Sequence, residues 1–280
     1  MSSMTVNEWL SQATSYLEAA DVQTASLDAI ILLEDCVLKN RAWILAHPES
    51  QLSSDQVASL KKLLNRRSLH EPLAYVRGKA EFYGREFVLN PAVLQPRPES
   101  ETFIQLLKEL SDSGLFGPNT EHVVRIADVG AGSGALGITA ALELPNCQVR
   151  LLEVDPKAAE VAKVNVDKFT LNISVTVGDL LATTERHFDV FLCNLPYVPD
   201  GYQINRAATY EPQLAIFGGS DGLEVYRRLF DQVQKRTSKP LFILTESFAS
   251  QHEVLNKIAR QAGYSLLKSE DFIQVFQLIT

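Results

Sequence analysis

Asp128-Val129-Gly130-Ala131-Gly132-Ser133-Gly134-Ala135-Leu136-Gly137 is the stretch whose reading decides the fold. The short apolar run Val123-Val124-Arg125-Ile126-Ala127 before it reads as a buried strand, and Ala135 to Leu142 after it reads as a helix. The glycines therefore stand where a strand turns into a helix. So tight a turn calls for positive φ angles and leaves bare backbone open to a ligand. The first turn of the helix adds N–H groups that have no partner within the helix and face the same ligand.

From Val123 onward strand and helix alternate. Strands are expected at 123–128, 148–153, 172–177, 188–193 and 240–246, and helices at 135–143, 157–168, 221–235 and 250–262. Antiparallel strands are expected to close the chain at 264–268 and 273–279. This rhythm predicts an α/β fold with a doubly wound, Rossmann-like parallel sheet over residues 96–280, which takes its ligands at the carboxyl ends of the strands. Upstream, Val6, Trp9, Leu10, Ala13, Tyr16 and Leu17 have helical spacing, as do Leu27, Ile30, Ile31, Glu34 and Leu38, with Ser26 as a candidate N-cap. Ser53 with Gln56 reads as a capping box before Val57, Leu60 and Leu64. Residues 1–70 are thus expected to form a small N-terminal helical bundle. Residues 71–95 read as a β-hairpin linker opening at Leu73, from their aromatic and β-branched residues broken by Gly78 and Gly84. In Pro96-Arg97-Pro98-Glu99-Ser100-Glu101 the prolines hold Arg97 extended and Pro98 opens a helix.

The 280 residues are 46% hydrophobic, enough for a substantial core, and no apolar run reaches the length of a membrane span. The N-terminus lacks the basic and apolar regions of a secretory signal. Cys36, Cys147 and Cys193 lie far apart and read as buried thiols in a reducing compartment; the five histidines have no ligand spacing, so no metal site is expected. A net charge of −8 argues against a broad nucleic-acid surface. Lys61, Lys62, Arg66 and Arg67 are the best candidates for a local basic patch, against the plainer reading of a solvated helix face.

The glycine stretch admits two functional readings besides a plain tight turn. Gly132-x-Gly134-x-x-Gly137, with Glu153 about 20 residues on, fits the dinucleotide fingerprint. The spacing Asp128-x-Gly130-x-Gly132-x-Gly134 resembles the nucleoside loop of S-adenosylmethionine (SAM) methyltransferases, where the acid at the strand end faces the methionine end of the ligand. Under either reading Glu153, at the end of the second strand, is placed to take the ribose hydroxyls. Asp155 is its rival, though it precedes Pro156 and is equally a helix cap. Asp179 at the end of the third strand is an acceptor for an adenine amino group or simply a turn residue, and Leu180 a cover for a ring face.

The fourth strand ends in Cys193-Asn194-Leu195-Pro196-Tyr197, which decides for the methyltransferase. It is similar to the Asn-Pro-Pro-Tyr element of enzymes that methylate a planar amino or amide nitrogen, with Leu195 in place of the first proline. Such a nitrogen has a delocalised lone pair and must be oriented as charge grows on it. The Asn194 side-chain oxygen and the Leu195 carbonyl supply two acceptors, and Tyr197 a surface for the planar group. Leaving a buried amide unpartnered costs roughly 1–3 kcal/mol, so such a pair gives both affinity and aim.

With Glu71-Pro72-Leu73-Ala74-Tyr75-Val76-x-Gly78, Glu81-Phe82-Tyr83-Gly84, Pro96 to Glu101, Tyr210-Glu211-Pro212-Gln213-x-Ala215 and Gly218-Gly219-x-Asp221-Gly222-Leu223, most of the chain resembles the HemK/PrmC family. The resemblance implies N5-methylation of the glutamine in the Gly-Gly-Gln motif of peptide-chain release factors. It implies SAM contacts from Gly130, Ala131, Gly132, Ser133, Gly134, Glu153, Leu180 and Asn194, with Asp128 and Asp179 beside them. It also implies that Asn194, Leu195, Pro196 and Tyr197 hold the glutamine, and that residues 1–70 dock the release factor. A cytoplasmic monomer without direct nucleic-acid or membrane contact is expected. Alternatives are a ribosomal-protein glutamine or nucleic-acid adenine N6 methyltransferase, an NAD-dependent oxidoreductase and a non-catalytic SAM-binding protein. The chain departs from the family at Leu195, at Ser247-Phe248 after Glu246, and around Asp271, where the usual arginine is missing. Activity is expected to survive Leu195, because the contact it supplies is a backbone carbonyl and Pro196 still biases it toward an extended shape.

Overall fold

The structure, a computed structural model, describes residues 4–116 and 123–279. Residues 1–3, residues 117–122 with His122, and Thr280 lie outside them. The chain divides into two compact units, Met1–Lys79 with Asn205–Tyr210, and Ala80–Ile204 with Glu211–Thr280.

In the first unit Met4–Thr5 (β1) pairs antiparallel with Gln51–Leu52 (β2). Thr5 and Glu8 form a capping box that starts α1 (Val6–Glu18). Helix α2 (Ala25–Val37) begins one residue before Ser26, so Thr24 and not Ser26 holds the cap position. The Thr24 hydroxyl bonds to Asp28 Oδ2 instead of a backbone N–H. Asn40 caps α3 (Arg41–Ala46) by accepting from the Trp43 N–H. Ser53 and Gln56 form the expected capping box of α4 (Ser54–Ser68). Trp9, Leu17, Leu32, Leu33 and Leu60 fill the interior. The hairpin expected from Leu73 starts later. Leu73–Arg77 is a helical turn (α5) that follows Pro72 and is closed by Gly78 at φ 74°. It buries Val76 in the bundle's core.

The basic run is not a patch, and its lysines alone keep to a solvated face. Lys61 and Lys62 are exposed, but Arg67 Nε lies 2.6 Å from Asp28 Oδ2, with 13% and 4% of the two side chains exposed. Arg66 pairs with Glu71 and donates to the Tyr75 and Val76 carbonyls. These two arginines tie α4 to α2 and to the start of α5.

In the second unit Lys79–Phe82 (β3) and Arg85–Val88 (β4) form a separate two-stranded sheet. A 3₁₀ turn at Pro98–Glu101 leads into α6 (Thr102–Asp112). The main elements are β5 (Val124–Val129), α7 (Ala135–Glu143), β6 (Cys147–Glu153), α8 (Pro156–Lys168), β7 (Ser174–Val177), β8 (Val190–Cys193), α9 (Glu224–Lys235), β9 (Phe242–Glu246), α10 (His252–Gln261), β10 (Tyr264–Glu270) and β11 (Ile273–Leu278). The seven-stranded sheet runs β10-β11-β9-β8-β5-β6-β7. Strands β9, β8, β5, β6 and β7 are parallel, while β11 pairs antiparallel with both β9 and β10 and so runs against the rest of the sheet. The chain winds outward from β5 through β6 and β7, then returns to β8 on the other side of β5. That reversal opens a crevice at the carboxyl ends of β5 and β8.

Burial on both faces makes the sheet doubly wound. Ile126, Val190, Leu192, Phe242 and Leu244 belong to the core under α6, α7 and α8. Their strand neighbours Ala127, Phe191, Cys193 and Ile243 belong to the core under α9 and α10. Alternate residues of a strand point to opposite faces, so each strand feeds both cores. Asn165 on α8, fully buried, exchanges two hydrogen bonds with the Val88 backbone and gives a third to the Ser133 carbonyl. This fixes the hairpin against the glycine turn.

Arg67→Ala strands the buried Asp28 carboxylate without its cation, and a loss of about 3–5 kcal/mol is expected. Urea unfolding at unchanged slope measures it. A loss below about 0.5 kcal/mol, the ordinary value for a solvated surface position, contradicts the assignment.

Candidate active site

At the carboxyl end of β5 the chain takes the expected left-handed turns, with Gly130 at φ 76°, Gly132 at 55° and Gly134 at 80°. The Gly130 and Ala131 N–H groups both donate to the Leu152 carbonyl, which pins the turn to β6. Gly132 has open space where a Cβ would stand. Gly137 serves packing instead. A Cβ there would lie 2.4 Å from Leu151 Cδ2 and 2.9 Å from Asp128 Cβ, so α7 sits directly on the sheet.

Two acids flank this turn. Glu153 accepts the Gly132 N–H on Oε2 at 2.7 Å and the Asp155 N–H on Oε1 at 2.9 Å. Asp155 spends its side chain capping α8 through the Lys157 N–H. The rival roles thus separate into a carboxylate pinned at the strand end and a helix cap. Asp128, 1% exposed, accepts the Gly137 N–H at 2.8 Å. Burial pushes its carboxyl up to about 7; the Gly137 N–H opposes the shift and the charge of Glu153 adds to it.

A cavity of about 300 Å³ opens over these residues and extends from Glu153 past Leu180 to Asn194 and Arg97. Leu180 holds φ 52°, an unusual value for a bulky residue, and is 7% exposed. Asp179 is exposed and ion-paired with Arg228, and both border the cavity.

The far end of the cavity is built on β8 and β9. The Asn194 Nδ2 group donates to Ser100 Oγ at 2.9 Å, and the Ser100 hydroxyl donates to Glu246 Oε2 at 2.6 Å. The Tyr197 hydroxyl donates to Glu246 Oε1 at 2.9 Å. Burial raises the Glu246 carboxyl above its ordinary value, while its hydrogen bonds to Ser100 and Tyr197 work against the shift. Among the described residues, neither Asn194 Oδ1 nor the Leu195 carbonyl has a hydrogen-bond partner. Leu195 is 3% exposed and packs against Gly130, where a Cβ would meet its Cδ2 at 2.8 Å. Phe248, at a position where the chain departs from the family, stands edge-on to Tyr197 with ring centroids 5.1 Å apart. Arg97 pairs with the buried Glu211 at 2.6 Å.

The glycine segment after Ile216 explains how this loop keeps its shape. Val198 and Gly218 exchange backbone hydrogen bonds with their opposite strands of loop. Gly222, at φ 79°, lies so close that a Cβ would come within 2.0 Å of the Tyr197 carbonyl oxygen. That same carbonyl accepts from Gln251 Nε2.

Residues 128, 130–133, 153, 179, 180 and 194–196 thus border one cavity, whereas Val129 is buried beneath it and Gly134 faces Ile138 and Leu151 instead of the cavity. Tyr197 stands behind Asn194 on Glu246. Sequence reading assigned no role to Ser100, Tyr226, Glu246 or Gln251. Only Glu246 left a signal, an acid ending the apolar strand Phe242–Glu246 just as Glu153 ends β6.

Two family models match the chain, the PrmC N-terminal domain at residues 8–78 and the methyltransferase small domain at residues 106–211. The chain is 34% identical over 262 residues to the release factor glutamine methyltransferase of Koribacter versatilis, covering 92% of this chain and 91% of that protein. It is 32% identical over 245 residues to the release factor glutamine methyltransferase of Coxiella burnetii, covering 86% of each. Among solved structures, the hMettl16 catalytic domain overlays with a TM-score of 0.53 at 15% identity, covering 81% of this chain and 82% of that one, a likeness of fold.

Gly222→Ala is expected to push the Tyr197 carbonyl aside. Amide hydrogen exchange at Val198 and Gly218 should accelerate by about tenfold or more. Gly201→Ala, at a site with open space, should leave it unchanged. Equal protection in the two variants would show that the glycine segment does not hold the loop.

Proposed function

The chain belongs to the family of release factor glutamine methyltransferases, and we propose that it methylates the side-chain nitrogen of the glutamine in a release factor's Gly-Gly-Gln motif, with SAM as donor. The observation that carries this reading is the pair of unpartnered acceptors, Asn194 Oδ1 and the Leu195 carbonyl, on adjacent residues beside the cavity. An amide NH₂ has two protons, and two acceptors match them.

The residues around the glycine turn fit SAM. Gly132 leaves open space beside bare backbone. Glu153 has both carboxylate oxygens held by N–H groups, with further lone pairs for ribose hydroxyls. Asp128 presents a buried acid next to where a cation would lie. Leu180 covers a ring face, and Asp179 reaches the adenine amino group by sharing its oxygens with Arg228. Bound there, SAM supplies a methyl group on a positively charged sulfur.

The chain's own work is aim and electrostatics. Asn194 Oδ1 and the Leu195 carbonyl take the two N–H bonds of the amide, which turns its nitrogen toward the donor and favours the positive charge that develops on it. Tyr197 stands behind Asn194, outside the cavity lining, and its hydroxyl is kept protonated by burial and the charge of Glu246. Residues 8–78 match the PrmC N-terminal domain, and in this reading they dock the release factor. A substrate in translation implies a cytoplasmic enzyme, and among the described residues no helix is long and apolar enough to cross a membrane.

Purified release factor incubated with labelled SAM should gain 14 daltons, about one methyl group on one amide, mapped to the Gly-Gly-Gln glutamine and lost when that residue is changed. Asn194→Ala should lower turnover by about 100-fold or more while leaving the melting curve in place. Near-normal turnover in this variant would sink the proposed role.

Asp128 makes SAM binding depend on pH. Its carboxyl titrates at about 7 in the free protein, and a neighbouring cation favours the ionised form, so binding below that pH releases a proton. Affinity therefore rises as pH climbs toward 7 and levels off above it, by about tenfold between pH 6 and pH 8. Calorimetry in buffers of different ionisation enthalpy checks the proton, and Asp128→Asn should flatten the profile. A flat wild-type profile would show that no cation sits beside Asp128.

A further inference from the structure

We propose that Ser100, anchored by Glu246, is a positioning residue that sets which end of the Asn194 side-chain amide faces the cavity. The inference rests on the reading above, in which Asn194 Oδ1 accepts from the substrate amide.

An asparagine amide is nearly symmetric in shape. Turned over about its last torsion it fills the same space, but it offers NH₂ where it had offered oxygen. In this site the turned form is useless, since an NH₂ group would then face the NH₂ of the substrate. Something must therefore choose between the two orientations, and the hydrogen-bond row behind Asn194 does so.

The row starts at Glu246, which ends β9 with 2% of its surface exposed. The hydrogen bonds from Ser100 and Tyr197 favour its ionised form against the effect of burial, and an ionised carboxylate accepts and does not donate. Its Oε2 lies 2.6 Å from Ser100 Oγ, which takes the single hydroxyl proton of Ser100. Its Oε1 is occupied by the Tyr197 hydroxyl. With its proton committed, Ser100 Oγ has only lone pairs left for Asn194, so the group 2.9 Å away must be Nδ2. The amide oxygen is then left for the cavity, where it has no partner among the described residues.

The placement of Ser100 agrees with this use. It lies in the 3₁₀ turn after Arg97-Pro98, is 2% exposed and borders the same cavity. A serine whose only task was to cap the helix behind it would turn its oxygen to a backbone N–H. This one bonds across the fold to two side chains, and no side-chain cap is formed at that turn.

The test is a double-mutant cycle on the whole enzyme, read by methyl transfer to the release factor with SAM affinity measured alongside. Ser100→Ala should lower kcat by about twofold or more, because an amide with no orienting partner spends at least half its time turned over, with the SAM dissociation constant and melting temperature near wild type. Ser100→Thr, which keeps the hydroxyl, should recover most of kcat. In the Asn194→Ala background, Ser100→Ala should cost nothing further, since no amide remains to orient. If Ser100→Thr does not fold, the cycle with alanine still decides. A Ser100→Ala loss that persists at full size without Asn194, or an unchanged kcat in Ser100→Ala alone, overturns the positioning role. Normal turnover in Asn194→Ala instead overturns the reading of the acceptor pair on which the proposal rests.

Discussion

The hydroxyl of Tyr226 sits, wholly buried, between the carboxyl ends of β8 and β9. It accepts the N–H groups of Leu195 and Glu246 at 3.3 and 3.2 Å. It lies 2.8 Å from the Cys193 carbonyl and 2.7 Å from that of Glu246, which share its proton. Direct pairing of the two strands ends at Cys193 and Thr245. The phenol carries the connection one step further, to where the backbones diverge toward Asn194 and Glu246. Burial holds its pKa well above the ordinary phenol value, so the proton stays in place. Four backbone groups meet at one oxygen where the strands diverge, and a buried backbone group left with no partner costs roughly 1–3 kcal/mol.

The rest of the acceptor end depends on that spacing. With β8 and β9 held apart by one hydroxyl, the gap between Asn194 and Glu246 admits a serine side chain from the turn at Pro98–Glu101, and the polar row closes. Helix α9 brings the phenol there because Tyr226 shares its buried face with Leu229, Phe230 and Val233. Packing therefore does the positioning, and the hydroxyl converts it into backbone geometry. The two glycine segments complement this in different ways. Those after β5 bend the chain and expose backbone, whereas Gly222 lets one loop press on the carbonyl of Tyr197.

Much of this was legible in the sequence, for a physical reason. Strand ends, helix starts and glycine turns are local, and residues 124–153 carry the whole β5-α7-β6 unit in a single continuous pattern. The acids at the ends of its strands lie where a doubly wound sheet gathers ligands, so the place of Asp128 and Glu153 beside the cavity could be read from position alone. The polar row could not. Ser100 and Glu246 are 146 residues apart, and Ser100 and Asn194 are 94 apart. No periodicity links them, and Tyr226 reads as one more core aromatic. Arg66 and Arg67 misled for the same reason, since Asp28, 39 residues before Arg67, was invisible as a partner. The helical turn at Leu73–Arg77 was masked by its aromatic and β-branched residues, which read as strand until Pro72 and Gly78 are seen to bound a helix.

Leu195 shows how a departure from the family pattern is absorbed. A proline here would offer no N–H, whereas leucine brings one into a buried site, where it costs free energy unless bonded. The Tyr226 hydroxyl takes it. The leucine side chain also needs room, and it finds it against Gly130, which has no Cβ to meet it. Neither adjustment involves its carbonyl, the atom proposed to meet an incoming amide. The residue type has changed, while the carbonyl beside the cavity is still held by Pro196 in front and by the anchored strand end behind. An element whose working part is backbone tolerates a new side chain when the core behind it has a partner for the extra donor and space for the extra carbons.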